Sequence, residues 1–334
     1  MNSNHNKPVM VEMFSGIGSQ AKALKKLNLK YDIHILDWDI SAFYAYDIIH
    51  HGKHTDELIQ NIHLSHNELV EFLASKNLST NGKHPVSKKY LASWKTDALK
   101  RVYIAYNRTN NLGNIKYTEY YNLPDNIEIL TYSFPCQDLS IGGAWHGNMT
   151  GIDRNANNRS SMLWEVERIL EDLKKYNKPL PKFLLMENVY NINSERHKHN
   201  FNEWKQKLDE LGYCNKDFSL NSIKYGIPQS RKRTYMLSVL SKDDNIINYI
   251  KNYEFTKHDC PDIMNFLRTD YSIEKYKKEA DASNPNKSDS RDKIYHDNII
   301  IYDKEPLVQY IKTITTKQDR NPNSGIIEYP EHGE

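Results

Sequence analysis

The sequence predicts an α/β protein: a mostly parallel, Rossmann-like sheet with helices on both faces, followed by a smaller, irregular domain. Three observations carry this. Apolar, strand-like runs at 9–13, 33–36, 129–135 and 183–186 alternate with helix-period stretches, the pattern of βα units feeding a parallel sheet. Each run stops at residues able to do chemistry, as expected at the carboxyl edge of an open sheet, where ligands bind. From about residue 241 the composition shifts toward Lys, Asn, Asp, Ser and Tyr, and the alternation is lost. Residues 1–240 are therefore read as one large domain, with 50–121 as a helical insertion, and 241–334 as a second region.

Length and composition bound the function classes. A chain of 334 residues can bury a large core. No apolar run approaches the length of a membrane span, and Met1-Asn-Ser-Asn-His-Asn-Lys7 lacks the apolar centre of a secretion signal, so a cytoplasmic protein is expected. The three cysteines, Cys136, Cys214 and Cys260, form no CxxC pair. Neither a disulfide framework nor a metal site is expected from them. A formal charge of +2 is too small to argue for a polyanionic partner by itself.

The first unit, Val9-Met-Val-Glu-Met-Phe-Ser-Gly-Ile-Gly18, is an apolar strand running into a glycine turn, with a helix pattern over 20–27. Glycines there let the backbone approach a ligand, and the start of the helix offers unpaired N–H groups. The second strand ends in Asp37-Trp38-Asp39, where an acid can accept from both hydroxyls of a ribose and an indole can lie on adenine. Gly16-x-Gly18-x-x-Ala21 also satisfies the dinucleotide fingerprint, so this unit alone fits a nicotinamide cofactor or S-adenosyl-L-methionine.

Residues 55–76 read as one polar amphipathic helix, 78–87 as a turn, and 91–106 as a helix whose Lys95, Lys100 and Arg101 make a solvated basic face. The third strand hands over at Pro135 to Cys136, at the ligand edge of the sheet; a half-buried structural cysteine is the plain alternative. The glycine-rich run from Gly142 to Gly151 has the composition of a closing lid. A helix with an apolar stripe at 162, 163, 166, 169 and 170 follows, then the strand Phe183-Leu-Leu-Met186, which ends in Glu187-Asn-Val189. A helix over 201–211 and a strand over 213–220 come next. Gln229, Arg231 and Arg233 alternate with period two before an apolar strand and so are expected to point one way. Residues 280–291 read as a flexible loop.

Four blocks stand in one order over the first 240 residues: Phe14-Ser-Gly-Ile-Gly18, Pro135-Cys-Gln137, Glu187-Asn-Val189 and Gln229-x-Arg231-x-Arg233. Together they resemble the signature blocks of the DNA cytosine-5 methyltransferases. The resemblance implies an S-adenosyl-L-methionine-dependent methyltransferase domain followed by a target-recognition domain, acting on duplex DNA without a metal. It implies Cys136 as nucleophile, Glu187 at N3 of the base, Arg233 at O2, and Arg231 on a phosphate or the catalytic loop. For the cofactor it implies Phe14, Gly16, Gly18, Asp37, Trp38, Pro135 and Leu163. Asp37 stands where the family usually has Glu, and Asn114 stands as a weak substitute for the acid usual after the third strand. For DNA it implies Gln137, Ser140, Gln229 and Thr313.

The chemistry of these residue types agrees. Carbon 5 of cytosine is a poor nucleophile until a thiolate adds at carbon 6, and a thiolate can later depart. The charge then pushed toward N3 and O2 calls for a carboxyl group and a cation in a dry pocket. A base inside a duplex must first be flipped out. The family normally continues past the equivalent of Glu334 with two further blocks, one completing the cofactor pocket; either this sequence is a piece of a longer chain or a second polypeptide supplies them, as in a split restriction-modification methyltransferase, and the second is expected. The alternatives are a tRNA cytosine-5 methyltransferase, a catalytically weak DNA-binding relative, and a cysteine hydrolase, against which no histidine is placed by the motifs to activate Cys136.

Overall fold

The computed structural model describes residues 7–136, 139, 152–154, 160–283, 288–302, 305–314, 322 and 324–328. The chain divides into two compact units, Met1–Phe218 with Thr234–Asn252, and Ser219–Arg233 with Tyr253–Glu334. The first unit begins with β1 (Val9–Met13), α1 (Ser19–Lys26), β2 (Asp32–Leu36) and α2 (Ile40–His51). Four helices follow: α3 (Asp56–Gln60), α4 (His66–Ser75), α5 (Lys88–Ala92) and α6 (Thr96–Arg108). Next come β3 (Ile127–Tyr132), α7 (Leu163–Lys175), β4 (Phe183–Val189), α8 (Glu195–Glu210) and β5 (Tyr213–Asn221). Past the short β6 (Gln229–Ser230), β7 (Lys232–Leu240) re-enters the sheet and α9 (Asp244–Asn252) closes the unit.

The sheet runs in the order β2-β1-β3-β4-β7-β5, with β1 parallel to β2 and β3, and β3 parallel to β4. From Met10 to Met13 every residue of β1 is buried, which is why this strand reads as an apolar run rather than an alternation. Val11 and Met13 pack with Leu130 and Tyr132 and with Leu163, Val166 and Trp204 of α7 and α8 in one core. A second core gathers Ala21, Ile35, Phe43, Leu69 and Val102 from α1, β2, α2, α4 and α6. Trp204 is completely buried and its Nε1 donates to the Tyr132 hydroxyl at 3.1 Å, so the polar atoms of this aromatic pair are satisfied. The outer edge of β2 is partly covered by irregular backbone: the Leu112 N–H donates to Ile35 O at 2.9 Å.

Two helices stand where one was expected across 55–76, and two stand across 88–108. The cause is local capping. Thr55 caps α3, and Ser65 with Glu68 forms a reciprocal capping box that starts α4 afresh. Ser87 likewise caps α5 before α6 begins at Thr96.

In the second unit β6 pairs in parallel with β10 (Ile311–Lys312), reached after α10 (Glu274–Ala282), α11 (Asp289–His296), β8 (Ile299–Tyr302) and β9 (Glu305–Pro306). A separate three-stranded sheet has the order β11-β8-β9, β11 being Ile326–Ile327. The stretch expected as a loop over 280–291 therefore holds the end of α10 and the start of α11. Among the described residues no helix is long and apolar enough to cross a membrane.

Candidate functional site

The turn after β1 is built from unusual backbone. Phe14, Gly16 and Gly18 have φ of 56°, 54° and 81°. A phenylalanine in the left-handed region is strained, and here the strain is held by the Phe14 N–H donating to Leu36 O at 2.9 Å, across to the end of β2. The two glycines serve different ends. A Cβ on Gly16 would meet nothing within 4 Å, so its bare Cα faces open space that a ligand can enter. A Cβ on Gly18 would fall inside the rings of Tyr46 and His50; Gly18 is demanded by close packing of the start of α1 against α2.

Asp37 closes this turn. Its Oδ2 accepts from the Gly16 N–H and its Oδ1 from the Asp39 N–H, both at 2.9 Å. With the Ser15 hydroxyl also reaching this carboxyl, it still keeps spare acceptor capacity for a hydroxyl proton. The carboxyl is surrounded by protein while the residue remains partly open to the crevice, and desolvation pushes its pKa from 3.8 up to about 6, against the pull of the two N–H donors. Asn111 secures the Asp37 backbone from both sides, accepting from its N–H at 3.3 Å and donating to its carbonyl at 2.9 Å. Trp38 is partly exposed beside it, and its carbonyl accepts from the Ser79 N–H at 2.7 Å. An open glycine cradle next to a carboxyl with spare acceptor capacity and a partly exposed indole fits a nucleoside with a free ribose diol. Asn114 is buried and its Oδ1 accepts from the Lys116 N–H at 3.0 Å. Leu163, the first residue of α7, is fully buried in the core.

Cys136 and Glu187 lie toward the carboxyl edge of β3 and β4. The register pairs Tyr132 with Met186, so Glu187 stands one residue past that pair and Cys136 four residues past it on the neighbouring strand. Both are partly exposed. Asn188, nearly completely buried, donates from Nδ2 to Phe134 O at 3.0 Å and ties the two strand ends together. Cys136 is a thiol, not part of a disulfide. Gln137, Ser140 and the expected lid over 142–151 lie outside the described residues.

The remaining predicted residues belong to the second unit. Pairing of β6 with β10 brings Thr313 to Ser230, whose carbonyl accepts from the Thr313 hydroxyl at 2.9 Å. Thr313 and Ser230, the neighbour of Gln229 in β6, are thus joined across 83 residues of sequence. The strand pattern breaks at Arg231: that residue lies between β6 and β7, is exposed, and its N–H donates to Asn221 Oδ1 at 3.2 Å. Arg233 is half-buried, with a guanidinium N–H donating to Lys232 O at 2.9 Å.

Two residues were not anticipated. Glu12 sits in the middle of β1 with no exposed surface, beneath the start of α1; burial pushes its pKa up to about 7, countered by the Gln20 N–H and by the Tyr46 hydroxyl, which lies 3.3 Å away. An acid inside an otherwise apolar strand was the available signal. Asn111 had none, because its bond to Asp37 spans 74 residues.

Residues 72–329 match the family described as C-5 cytosine-specific DNA methylase. The chain is 40% identical over 244 residues to the orphan methyltransferase M.SssI of Spiroplasma monobiae, covering 72% of this chain and 61% of that protein. It is 35% identical over 235 residues to the type II methyltransferase M2.ScrFI of Lactococcus lactis, covering 70% of this chain and 61% of that one. It thus spans about 61% of the length of each. Among solved structures, the Entamoeba histolytica methyltransferase EhMeth superposes with a TM-score of 0.51 at 17% identity, over 96% of this chain and 74% of the other; this is a likeness of fold.

Proposed function

The chain belongs to the C-5 cytosine-specific DNA methylase family, and from that premise we propose that it transfers a methyl group from S-adenosyl-L-methionine to carbon 5 of a cytosine flipped out of duplex DNA. The observation that carries the proposal is the meeting, on one sheet edge, of a ligand-ready glycine turn closed by Asp37 with a thiol and a carboxyl on adjacent strand ends. Phe14, Gly16, Asp37 and Trp38 would hold the cofactor, with Gly18 setting the turn and Asn114, Pro135 and Leu163 backing the pocket. When bound, S-adenosyl-L-methionine supplies an electrophilic methyl group on a sulfonium.

In the proposed reaction the Cys136 thiolate adds to carbon 6 of the cytosine ring, which makes carbon 5 nucleophilic toward that methyl group. Glu187 holds a proton at N3 and Arg233 a positive charge at O2, where negative charge collects, while Arg231 binds phosphate or the segment after Cys136. After carbon 5 is methylated it loses its own proton to a base, the electron pair re-forms the ring double bond, and the carbon 6–sulfur bond breaks to return the thiolate. Gln137, Ser140, Gln229 and Thr313 would contact the DNA. The type II name of one relative fits a restriction-modification role in the cytoplasm, and the orphan name of the other fits a methylase working without an endonuclease. Activity is proposed for the polypeptide that contains these 334 residues, alone or with a second chain.

The test is transfer of labelled methyl groups to duplex DNA and, in parallel, to transfer RNA, with the product nucleoside identified by mass spectrometry. 5-Methylcytosine in DNA is expected; label confined to transfer RNA, or on another base, would contradict the proposal.

Asp37 sets a pH dependence. Ribose hydroxyls need the ionised carboxylate as acceptor, so affinity for S-adenosyl-L-homocysteine is expected to fall below pH about 6, by about tenfold per unit. Without ligand the sign is opposite. The burial cost of ionised Asp37 is absent below 3.8 and complete above about 6, so this group alone removes stability as pH rises between them. Calorimetric titrations on both sides of pH 6 check the first statement; equal affinity throughout would contradict it.

A further inference from the structure

The backbone that carries Cys136 is held by side chains outside the matched blocks. The Ser160 hydroxyl, completely buried, donates to Pro135 O at 2.8 Å, immediately before the cysteine. Asn191 donates from Nδ2 to Leu139 O at 2.6 Å, three residues after it. Between these two points the Leu139 N–H donates to Cys136 O at 3.0 Å, and the Leu139 side chain is fully buried. The carbonyls of Pro135 and Leu139, on either side of Cys136 in sequence, are therefore pinned, one from the turn that precedes α7 and one from the turn that follows β4. Neither side chain is titratable.

We propose that Ser160 and Asn191 are positioning residues for the Cys136 thiol, holding the Pro135 and Leu139 carbonyls on either side of it so that the sulfur meets carbon 6 of the target base without a search. The proposal rests on the reading of Cys136 as the nucleophile. It differs in depending on two hydrogen bonds to main-chain oxygens rather than on any contact with DNA or cofactor. Both bonds would be lost in Ser160→Ala and Asn191→Ala, and Asn191→Asp would replace the donor by an acceptor of the same shape.

The experiment is iodoacetamide alkylation of the protein without substrate, read peptide by peptide, followed by kinetics of methyl transfer. Each alanine variant is expected to raise the alkylation rate at Cys136 about fivefold, the change in open population set by one neutral hydrogen bond. Cys214 and Cys260 report the rest of the fold and should alkylate at the parental rate. In methyl transfer the same variants are expected to lose between about 10-fold and 100-fold in kcat with KM for the cofactor unchanged, as a slightly misplaced nucleophile would. A Cys136 rate within about twofold of the parent in all three variants would overturn the proposal, since the lost bond would then hold nothing. A parallel rise at Cys214 and Cys260 would also overturn it, as the bonds would then support the fold at large. Alkylation needs no methyl transfer, so this result stands separately from an inactive parent, which would instead sink the functional reading.

Discussion

Cys136→Ser protein is expected to methylate DNA more slowly than the parent by on the order of 10⁴-fold or more, the range seen when a covalent nucleophile is removed. The difference between the two side chains is electronic. At neutral pH a thiol supplies an appreciable thiolate fraction and a polarizable sulfur, whereas a serine hydroxyl without a general base stays protonated and a weak nucleophile. The exchange of sulfur for oxygen at a partly exposed position disturbs little packing. DNA and cofactor should therefore still bind, and the melting temperature should stay near that of the parent. Single-turnover assays with saturating DNA separate the loss of chemistry from a loss of binding; a serine variant with the parental rate would remove covalent catalysis from the account.

Glu187→Gln is expected to slow methyl transfer by about 10²–10⁴-fold, the usual worth of a positioned acid or base. The glutamine keeps the length and the hydrogen-bonding tip but cannot hand over a proton at N3 as charge builds there. Its place at the end of β4, one residue beyond the Tyr132–Met186 pair, keeps it on the same edge as Cys136. The loss should fall on kcat, with KM for the cofactor unchanged, because Asp37 and the glycine turn stand on other strands. Steady-state kinetics on a duplex with one target site measures this. A rise in KM at constant kcat would assign Glu187 to binding instead.

Much of the candidate site is legible because its residues sit near strand ends. Asp37, Cys136 and Glu187 each follow an apolar run, and a parallel sheet delivers such positions to one edge whatever the details of the helices. Gly16 and Gly18 look alike in sequence; only the packing of Tyr46 and His50 against Gly18 shows that Gly18 is demanded by helix contact, while Gly16 faces open space. The region over 55–108 was read as two helices where four form, since capping by Thr55, Ser65 and Ser87 is a short-range signal overridden by a periodicity argument. The link from Thr313 to Ser230 and the support of Asp37 by Asn111 are long-range hydrogen bonds, and no local pattern announces them. Glu12 is legible in sequence only as an acid inside an apolar strand, which does not reveal its contacts with Tyr46 and the start of α1.

The central claim is that Cys136 bonds transiently to carbon 6 of the target cytosine. It is tested most directly by incubating the protein and S-adenosyl-L-methionine with duplex DNA that carries 5-fluorocytosine at the target position. Fluorine cannot leave carbon 5 as a proton does, so the methylated adduct cannot resolve. The account predicts a denaturation-resistant protein–DNA complex whose single modified peptide contains Cys136. Ready methylation of ordinary cytosine with no such complex on the fluorinated duplex, or an adduct on a residue other than Cys136, would contradict it.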